Sequence, residues 1–435
     1  MPIELPKGVR DFPPEEKMLR QEILDKMRIV FERFGYAPLE TPTFERLDVL
    51  NAKFAAGEGS DVLKETFTFT DQGQRKLGLR FDLTVPLARF VTMHPELKFP
   101  FKRYQIDRAY RDGPIRLGRY REFWQCDVDI VGTDAMLADA EILAIAQAVF
   151  KELGLSVTLE VSNRKFLEGI LTQAGLTQNK HNAAMIVIDK FKKLTRKELE
   201  QEFAQRDIDE EAIVKIMALL GMNGTNEEIL NQMAQFSKTS IGQEGVKELS
   251  QIFTFLKGFG MTNAIVSPSL ARGLSYYTGP VFEGFLDDGE DLGISSSVCG
   301  GGRYDDMIGS YVGDGRKIPA SGISFGLEPI TEALKKKGKA QRKTPTQAYI
   351  IPVGITDTGI AVATALRNAG ICTDMDLQGR GISKNLAYAN ALAIPFVIIV
   401  GEDEIAAGKV KLRDMKTGKE GLENLKDAIK KIKRP

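Results

Sequence analysis

The chain has 435 residues, 43% hydrophobic and 27% charged, with 59 Lys and Arg balancing 59 Asp and Glu to a formal net charge of zero. That length implies two or three domains with ample core, and the charge balance excludes nucleic-acid binding through a uniformly basic surface, leaving only local patches for RNA. Cys126, Cys299 and Cys372 match no zinc spacing, and His94 and His181 fall in no candidate site, which argues against a His-ligated metal, against histidine-based catalysis and for free thiols in a reducing compartment.

The N-terminus, MPIELPKGVRDFPPEEK, lacks the apolar core of a signal peptide. No run approaches the ~20 apolar residues that a membrane span needs. The expectation is a soluble, cytoplasmic protein. Pro14, Glu15 and Glu16 open a helix predicted to reach about Phe34 and stop at Gly35, with Met18, Ile23, Leu24, Met27, Val30 and Phe31 at helical spacing. A strand over Ala37 to Glu40 follows. Phe67 to Thr70 and Leu77 to Phe81 alternate as strands about Asp71-Gln72-Gly73. In LRFDLTVPLARF, Asp82 and Thr84 share one strand face, and they read equally well as an N-cap pair opening a helix near Val85-Pro86.

The most informative stretch runs from Phe101 to Gly132 and reads as two strands joined by a loop around Asp112-Gly113-Pro114. In the second strand Phe123, Gln125, Asp127 and Asp129 fall on one face; Trp124, Cys126, Val128 and Ile130 fall on the other, mostly apolar, face. The first strand and loop add Arg111, Arg116, Arg119 and Arg121. A charged hairpin face is commonly just solvated. Here arginines and carboxylates are segregated along the hairpin, which suits a zwitterionic substrate beside a polyphosphate.

GRYREFWQCDVD resembles motif 2 of class II aminoacyl-tRNA synthetases and, within them, of the histidyl-tRNA synthetase family. In that family this strand-loop-strand binds ATP and the amino acid. The resemblance extends backwards: long helix, strand and Pro42 are similar to motif 1, which builds a dimer interface, and Asp82 with Thr84 matches the segment that holds the substrate's α-amino group.

Further along, Ala135 to Leu153 reads as a helix and Leu155 to Val161 as a strand. From about Lys165 to Gly258 amphipathic helices dominate, as in KKLTRKELEQEFAQR and EEAIVKIMALLG, and charge runs of this kind are solvated helix faces. The family carries a helical insertion here, leaning over the tRNA acceptor stem. RGLSYYTG and GGGRYD then resemble the two histidine-specific signatures of the family. Gly300, Gly301 and Gly302 allow close approach of backbone to a ligand, though a tight turn uses glycines equally well. The adjacent tyrosines, read as strand residues, point to opposite faces; the residues alone leave open which lines the site, and the resemblance selects Tyr277, leaving Tyr276 to packing. A Lys- and Gln-rich linker, about Lys335 to Gln347, marks a boundary. Beyond it, strands and helices alternate, arguing a mostly parallel sheet covered by helices, and ISKNLAYANALAIPFVIIVGEDE resembles the anticodon-binding domain of class II synthetases.

The fold expected is therefore an α+β catalytic domain, an antiparallel sheet flanked by helices over 1–165 and 258–334, with a helical insertion over 166–257 and a C-terminal α/β anticodon-binding domain over 343–435. The implied activity is that of a histidine–tRNA ligase, with L-histidine, ATP accompanied by Mg2+, and tRNA(His) as partners, in a homodimer. By resemblance, Arg111 bridges substrate carboxylate and α-phosphate, Arg119 lies on the pyrophosphate side, Phe123 stacks on adenine, and Arg272 stands at the α-phosphate. Asp82, Thr84 and Gln125 take the α-amino group; Asp129 and Tyr277 bracket the imidazole, and Tyr304 closes that side. No protein nucleophile or resident metal is required, because alignment and cations around the developing charge supply the catalysis. Two departures stand out. Ser275 occupies a position where aspartate is common, and in GLEPI Pro329 replaces the arginine that ends motif 3, for which Arg316 is a candidate substitute. The competing reading is a silent paralogue, the synthetase-like regulatory subunit of ATP phosphoribosyltransferase. Those paralogues lack the C-terminal domain and lose residues in the RGL signature, both of which this chain retains. A plain RNA-binding module, using the basic linker and tail, fits poorly with the neutral charge and the complete amino-acid pocket.

Overall fold

The computed structural model describes residues 3–52, 64–115, 118–272, 276–312, 316–339 and 342–433. The chain forms two compact units, residues 1–10 with 23–338 and residues 11–22 with 339–435. No helix among the described residues is long and apolar enough to cross a membrane.

The first unit holds eleven strands among its described residues: β1 (Ala37–Pro38), β2 (Phe44–Arg46), β3 (Thr68–Thr70), β4 (Lys76–Leu79), β5 (Phe101–Tyr110), β6 (Glu122–Val131), β7 (Val157–Asn163), β8 (Ala264–Val266), β9 (Pro280–Leu286), β10 (Cys299–Arg303) and β11 (Ala320–Gly326). Eight form one sheet in the order β1-β5-β6-β11-β10-β9-β7-β8, and β2-β4-β3 form a smaller one. The expected hairpin forms the second and third strands of the larger sheet: β5 and β6 pair antiparallel from Phe101 opposite Val131 to Tyr110 opposite Glu122. The sheet is antiparallel from β5 to β7, and only the edge pairs β1–β5 and β7–β8 are parallel. Parallel neighbours need a long crossover. Helices between Arg164 and Gly258 supply it for β7 and β8.

Period-2 alternation sets the two faces of this sheet. Cys126, Val128 and Ile130 of β6 and Phe325 of β11 are all at most 4% exposed and face helices, while Gln125, Asp127 and Asp129 turn the other way. Phe31 and Phe150 pack on Phe325 with ring centroids 5.8 and 5.7 Å apart. Each such fully buried apolar side chain contributes about 1.5–3 kcal/mol. This anchored back face holds the polar front face in register.

The second unit has a five-stranded sheet ordered β13-β12-β14-β15-β16, made of β12 (Ala348–Pro352), β13 (Thr373–Met375), β14 (Phe396–Val400), β15 (Val410–Asp414) and β16 (Glu420–Glu423). Its α/β character is as expected, but only β13, β12 and β14 are parallel. The last two strands form an antiparallel hairpin. Its turn is held by Asp414, whose carboxylate accepts the Lys416 and Thr417 N–H groups at 2.8 and 2.9 Å. A turn stabilised locally needs no helix, so the crossover pattern ends there.

Candidate active site

The front face of the eight-stranded sheet opens into a cavity of about 310 Å³. Register builds its floor. One row across the strands runs Arg103, Asp129, Gly322, Gly302, Val281; the next runs Gln105, Asp127, Ser324, Gly300, Glu283. Side chains from β6 can stand in the cavity because the facing glycines of β10 and β11 have none. A Cβ on Gly322 would meet Asp129 Oδ1 at 1.9 Å, and one on Gly300 would meet an Arg272 guanidinium nitrogen at 1.5 Å.

Of the residues expected at the site, Asp82, Thr84, Arg111, Gln125, Asp129, Arg272, Tyr277 and Tyr304 all line this cavity. β4 ends at Leu79, so Asp82 and Thr84 share no strand face, and Asp82 instead helps open the helix. Its Oδ1 accepts the N–H groups of Thr84 and Val85 at 3.1 and 2.9 Å, opening the helix Thr84–Met93, and the same carboxylate borders the cavity. Arg111 donates to Phe81 O at 3.3 Å and lies over the rings of Phe81 and Phe123 at 4.2 and 5.0 Å. Burial disfavours its charge, with Arg119 adding repulsion and Asp82 opposing. Arg272 donates to Phe282 O at 3.1 Å and stands 3.9 Å from Glu283. Two half-buried arginines lining the cavity can bind carboxylate or phosphate oxygens.

The cavity is also lined by carboxylates. Asp129 pairs with the buried Arg103 at 2.8 Å and accepts the Tyr304 hydroxyl. Burial raises its pKa, Arg103 opposing, and burial with the field of Asp129 pushes the Tyr304 phenol far above its ordinary range. Asp127, absent from the expected site, also lines the cavity and is 3% exposed. Its pKa is pushed up to about 7, first by burial, with Arg103 opposing and Asp129 adding to it. Alternation placed Asp127 on the correct face; nothing in the sequence told which carboxylates lack partners.

The tyrosine pair departs from expectation. Tyr276 and Tyr277 lie outside any strand, their ring centroids are 4.5 Å apart, and both line the cavity. Opposite faces are a property of extended backbone, and this backbone is a turn. Arg119 and Phe123 are outside the cavity lining: Arg119 is exposed and 3.9 Å from Glu65, while Phe123 flanks Arg111. Arg116 and Ser275 lie outside the described residues. Pro329 sits in the first turn of the helix Leu327–Lys336, where its missing N–H costs nothing, and Glu328 beside it accepts Trp124 N–H at 3.2 Å. Arg316 is exposed and does not line the cavity. The cation beside that helix is Arg10, 4.3 Å over the Tyr120 ring and 3.9 Å from Glu332. Arg303 of GGGRYD is structural, buried against Asp139 and donating to Thr133 O at 3.0 Å.

An antiparallel sheet whose β5–β6 hairpin borders a cavity that gathers two arginines and three aspartates defines a class II aminoacyl-tRNA synthetase core. The histidyl-tRNA synthetase family model matches residues 8–330, and an anticodon binding domain model matches residues 347–434. A histidine–tRNA ligase 2 of Shouchella clausii (strain KSM-K16) is 39% identical over 415 residues, spanning 95% of this chain and 96% of that protein. The crystal structure of histidyl-tRNA synthetase from Nostoc sp. PCC 7120 superposes with a TM-score of 0.87 at 31% identity, covering 100% of this chain and 99% of that one. An ATP phosphoribosyltransferase regulatory subunit/histidyl-tRNA synthetase from Bacillus halodurans C gives a TM-score of 0.77 at 23% identity over 92% and 99% of the two chains, a likeness of fold alone. The chain belongs to the histidyl-tRNA synthetase family.

Proposed function

We propose that this protein is a histidine–tRNA ligase, which activates L-histidine with ATP and transfers the histidyl group to tRNA(His). What supports this reading is that one cavity gathers Arg111 and Arg272 with Asp82, Asp127 and Asp129, the charges that a zwitterionic amino acid beside a phosphate needs. A zwitterionic amino acid enters with its carboxylate towards the arginines. That carboxylate then attacks the α-phosphorus of ATP, pyrophosphate leaves, and the arginines stabilise the charge that builds between them. Gln125, Asp82 and Thr84 border the end proposed for the α-amino group; Asp129, Tyr277 and Tyr304 border the end proposed for the imidazole. Partners for both ring nitrogens would reject analogues lacking them by ~10⁴-fold or more. Phe123 and Arg119, on the hairpin outside the cavity lining, are proposed for adenine and pyrophosphate.

Among the described residues no cluster of three acidic, histidine or cysteine side chains could hold a metal ion. Mg2+ is therefore proposed only as part of the nucleotide substrate, carried by its phosphates and water. We further propose a cytoplasmic homodimer, a helical insertion domain over 166–257, and tRNA anticodon recognition by 343–435. The regulatory-subunit alternative is not favoured, since Arg272 lines the cavity and the C-terminal unit is present.

The test is histidine-dependent ATP–pyrophosphate exchange without tRNA, in wild type and Arg272→Ala. Exchange with histidine alone, reduced at least ~100-fold in the variant, is expected from loss of a preorganised charge at the reacting phosphate. Histidine binding without any exchange would sink the reading.

A further inference from the structure

Most polar groups buried in this cavity are already engaged by the protein. Asp129 pairs with Arg103 and Tyr304, and Asp82 Oδ1 takes two helix N–H groups. Three acceptors on β6 are buried with no hydrogen bond, Gln125 Oε1, Asp127 Oδ1 and Asp129 Oδ2; the last is ion-paired with Arg103 at 2.8 Å, which leaves the first two. The rest of Gln125 is committed, its Nε2 donating to Ser324 Oγ at 3.0 Å, and Ser324 in turn supports the Asp127 carboxylate. Thus the amide cannot simply flip, and its oxygen stays turned away from Ser324. Residues i and i+2 of a strand stand about 6.6 Å apart. Where two such side chains converge on the cavity, a ligand group bearing several N–H donors can meet both acceptors, each through an ordinary hydrogen bond of about 2.9 Å. Leaving two such acceptors buried and unmet is costly, so the pair is built for a donor-rich, cationic ligand group.

We infer that Asp127 is a further substrate-binding residue, whose carboxylate together with the Gln125 amide oxygen receives the α-ammonium of the amino acid. This rests on the function proposed above and extends it. Asp127 supplies the formal counter-charge for the ammonium, while Asp129 holds Tyr304 and Arg103 in place. The groups facing Asp127 are Asp129 on its own strand, Arg103 and Gln105 on β5, Ser324 on β11, and Asp82, Tyr277 and Tyr304 around the cavity. Burial outweighs the opposing field of Arg103, and so Asp127 keeps a proton up to about pH 7. An arriving ammonium favours the ionised carboxylate and expels that proton. Substrate binding near neutral pH should therefore release a proton from Asp127, and affinity should fall as the pH drops below about 7.

The experiment compares L-histidine with its des-amino analogue, 3-(imidazol-4-yl)propionate, which keeps the ring and the carboxylate. Calorimetry on wild-type protein, in buffers of different ionisation enthalpy, is expected to show greater proton release for histidine than for the analogue at pH 6.5 and no difference at pH 8. Asp127→Asn is expected to weaken histidine roughly 10- to 100-fold at pH 8, the range for losing a charged hydrogen bond, and to leave the analogue unchanged. Equal weakening of both ligands, or of neither, overturns the assignment, as does equal proton release by the wild type. The wild-type measurement stands even if the variant folds poorly. A wild-type protein that binds no histidine at all overturns the function and this inference together.

Discussion

Asp127 has a cost when no substrate is present, and that cost is measurable. Its carboxyl group titrates near 3.8 when unfolded and at about 7 in the native state. Between those values the folded protein binds more protons than the unfolded one, so stability is lost as pH rises from about 4 to 7 and stays lost above. An uncharged amide at this position would escape the loss. The Tm of Asp127→Asn is expected to exceed that of the parent at pH 8, by about 1 to 1.5 °C for each kcal/mol recovered, and to match it at pH 4 in a scanning calorimeter. A variant less stable at pH 8 would mean that burial is not what raises the pKa. The sequence made the chemistry of β6 visible, since Gln125, Asp127 and Asp129 alternate on one strand face. It did not show which oxygens were engaged, because the partners arrive from distant elements: Arg103 from β5, Tyr304 after β10, Ser324 from β11. The Tyr276-Tyr277 pair misled for a similar reason, since a strand pattern was read where the chain turns.

Among elements, the β5–β6 hairpin was the most legible because two signals agreed, period-2 alternation and a turn at Asp112-Gly113-Pro114. The glycine run of β10 was read as room for a ligand, and its first member instead makes room for the protein's own Arg272. Adding a methyl group there tests that role. In Gly300→Ala the nearest atoms belong to the flexible end of the Arg272 side chain, so the strand should persist while the guanidinium is displaced. The expectation is a change in Tm below about 2 °C with kcat for adenylate formation down by roughly 100-fold, since an ångström of misplacement suffices for such a loss. Unaltered exchange kinetics would remove Arg272 from the reaction. The parallel edge pairs and the β15–β16 hairpin were less legible, because short strands of three to five residues carry little periodicity.

For the whole molecule, alternation and linker composition made two separately folded units readable, whereas association with a second copy leaves only indirect traces. Phe44, Phe69, Met93 and Phe99 of the first unit are each 42–64% exposed, and the rings of Phe44 and Phe69 lie 6.0 Å apart. With a chain mass of 48.2 kDa, light scattering at micromolar concentration is expected to give twice that value. A single-chain mass would count against the proposed homodimer. The sheet's cross-strand rows bear on another matter, redesign. Because Gly322 and Gly300 tolerate no side chain without striking Asp129 or Arg272, mutational tinkering from below would wreck the cavity before enlarging it. The freedom to recode which amino acid is charged lies outside the sheet, where Tyr276 and Tyr277 line the cavity beyond any strand, and a laboratory library aimed at non-natural monomers belongs there.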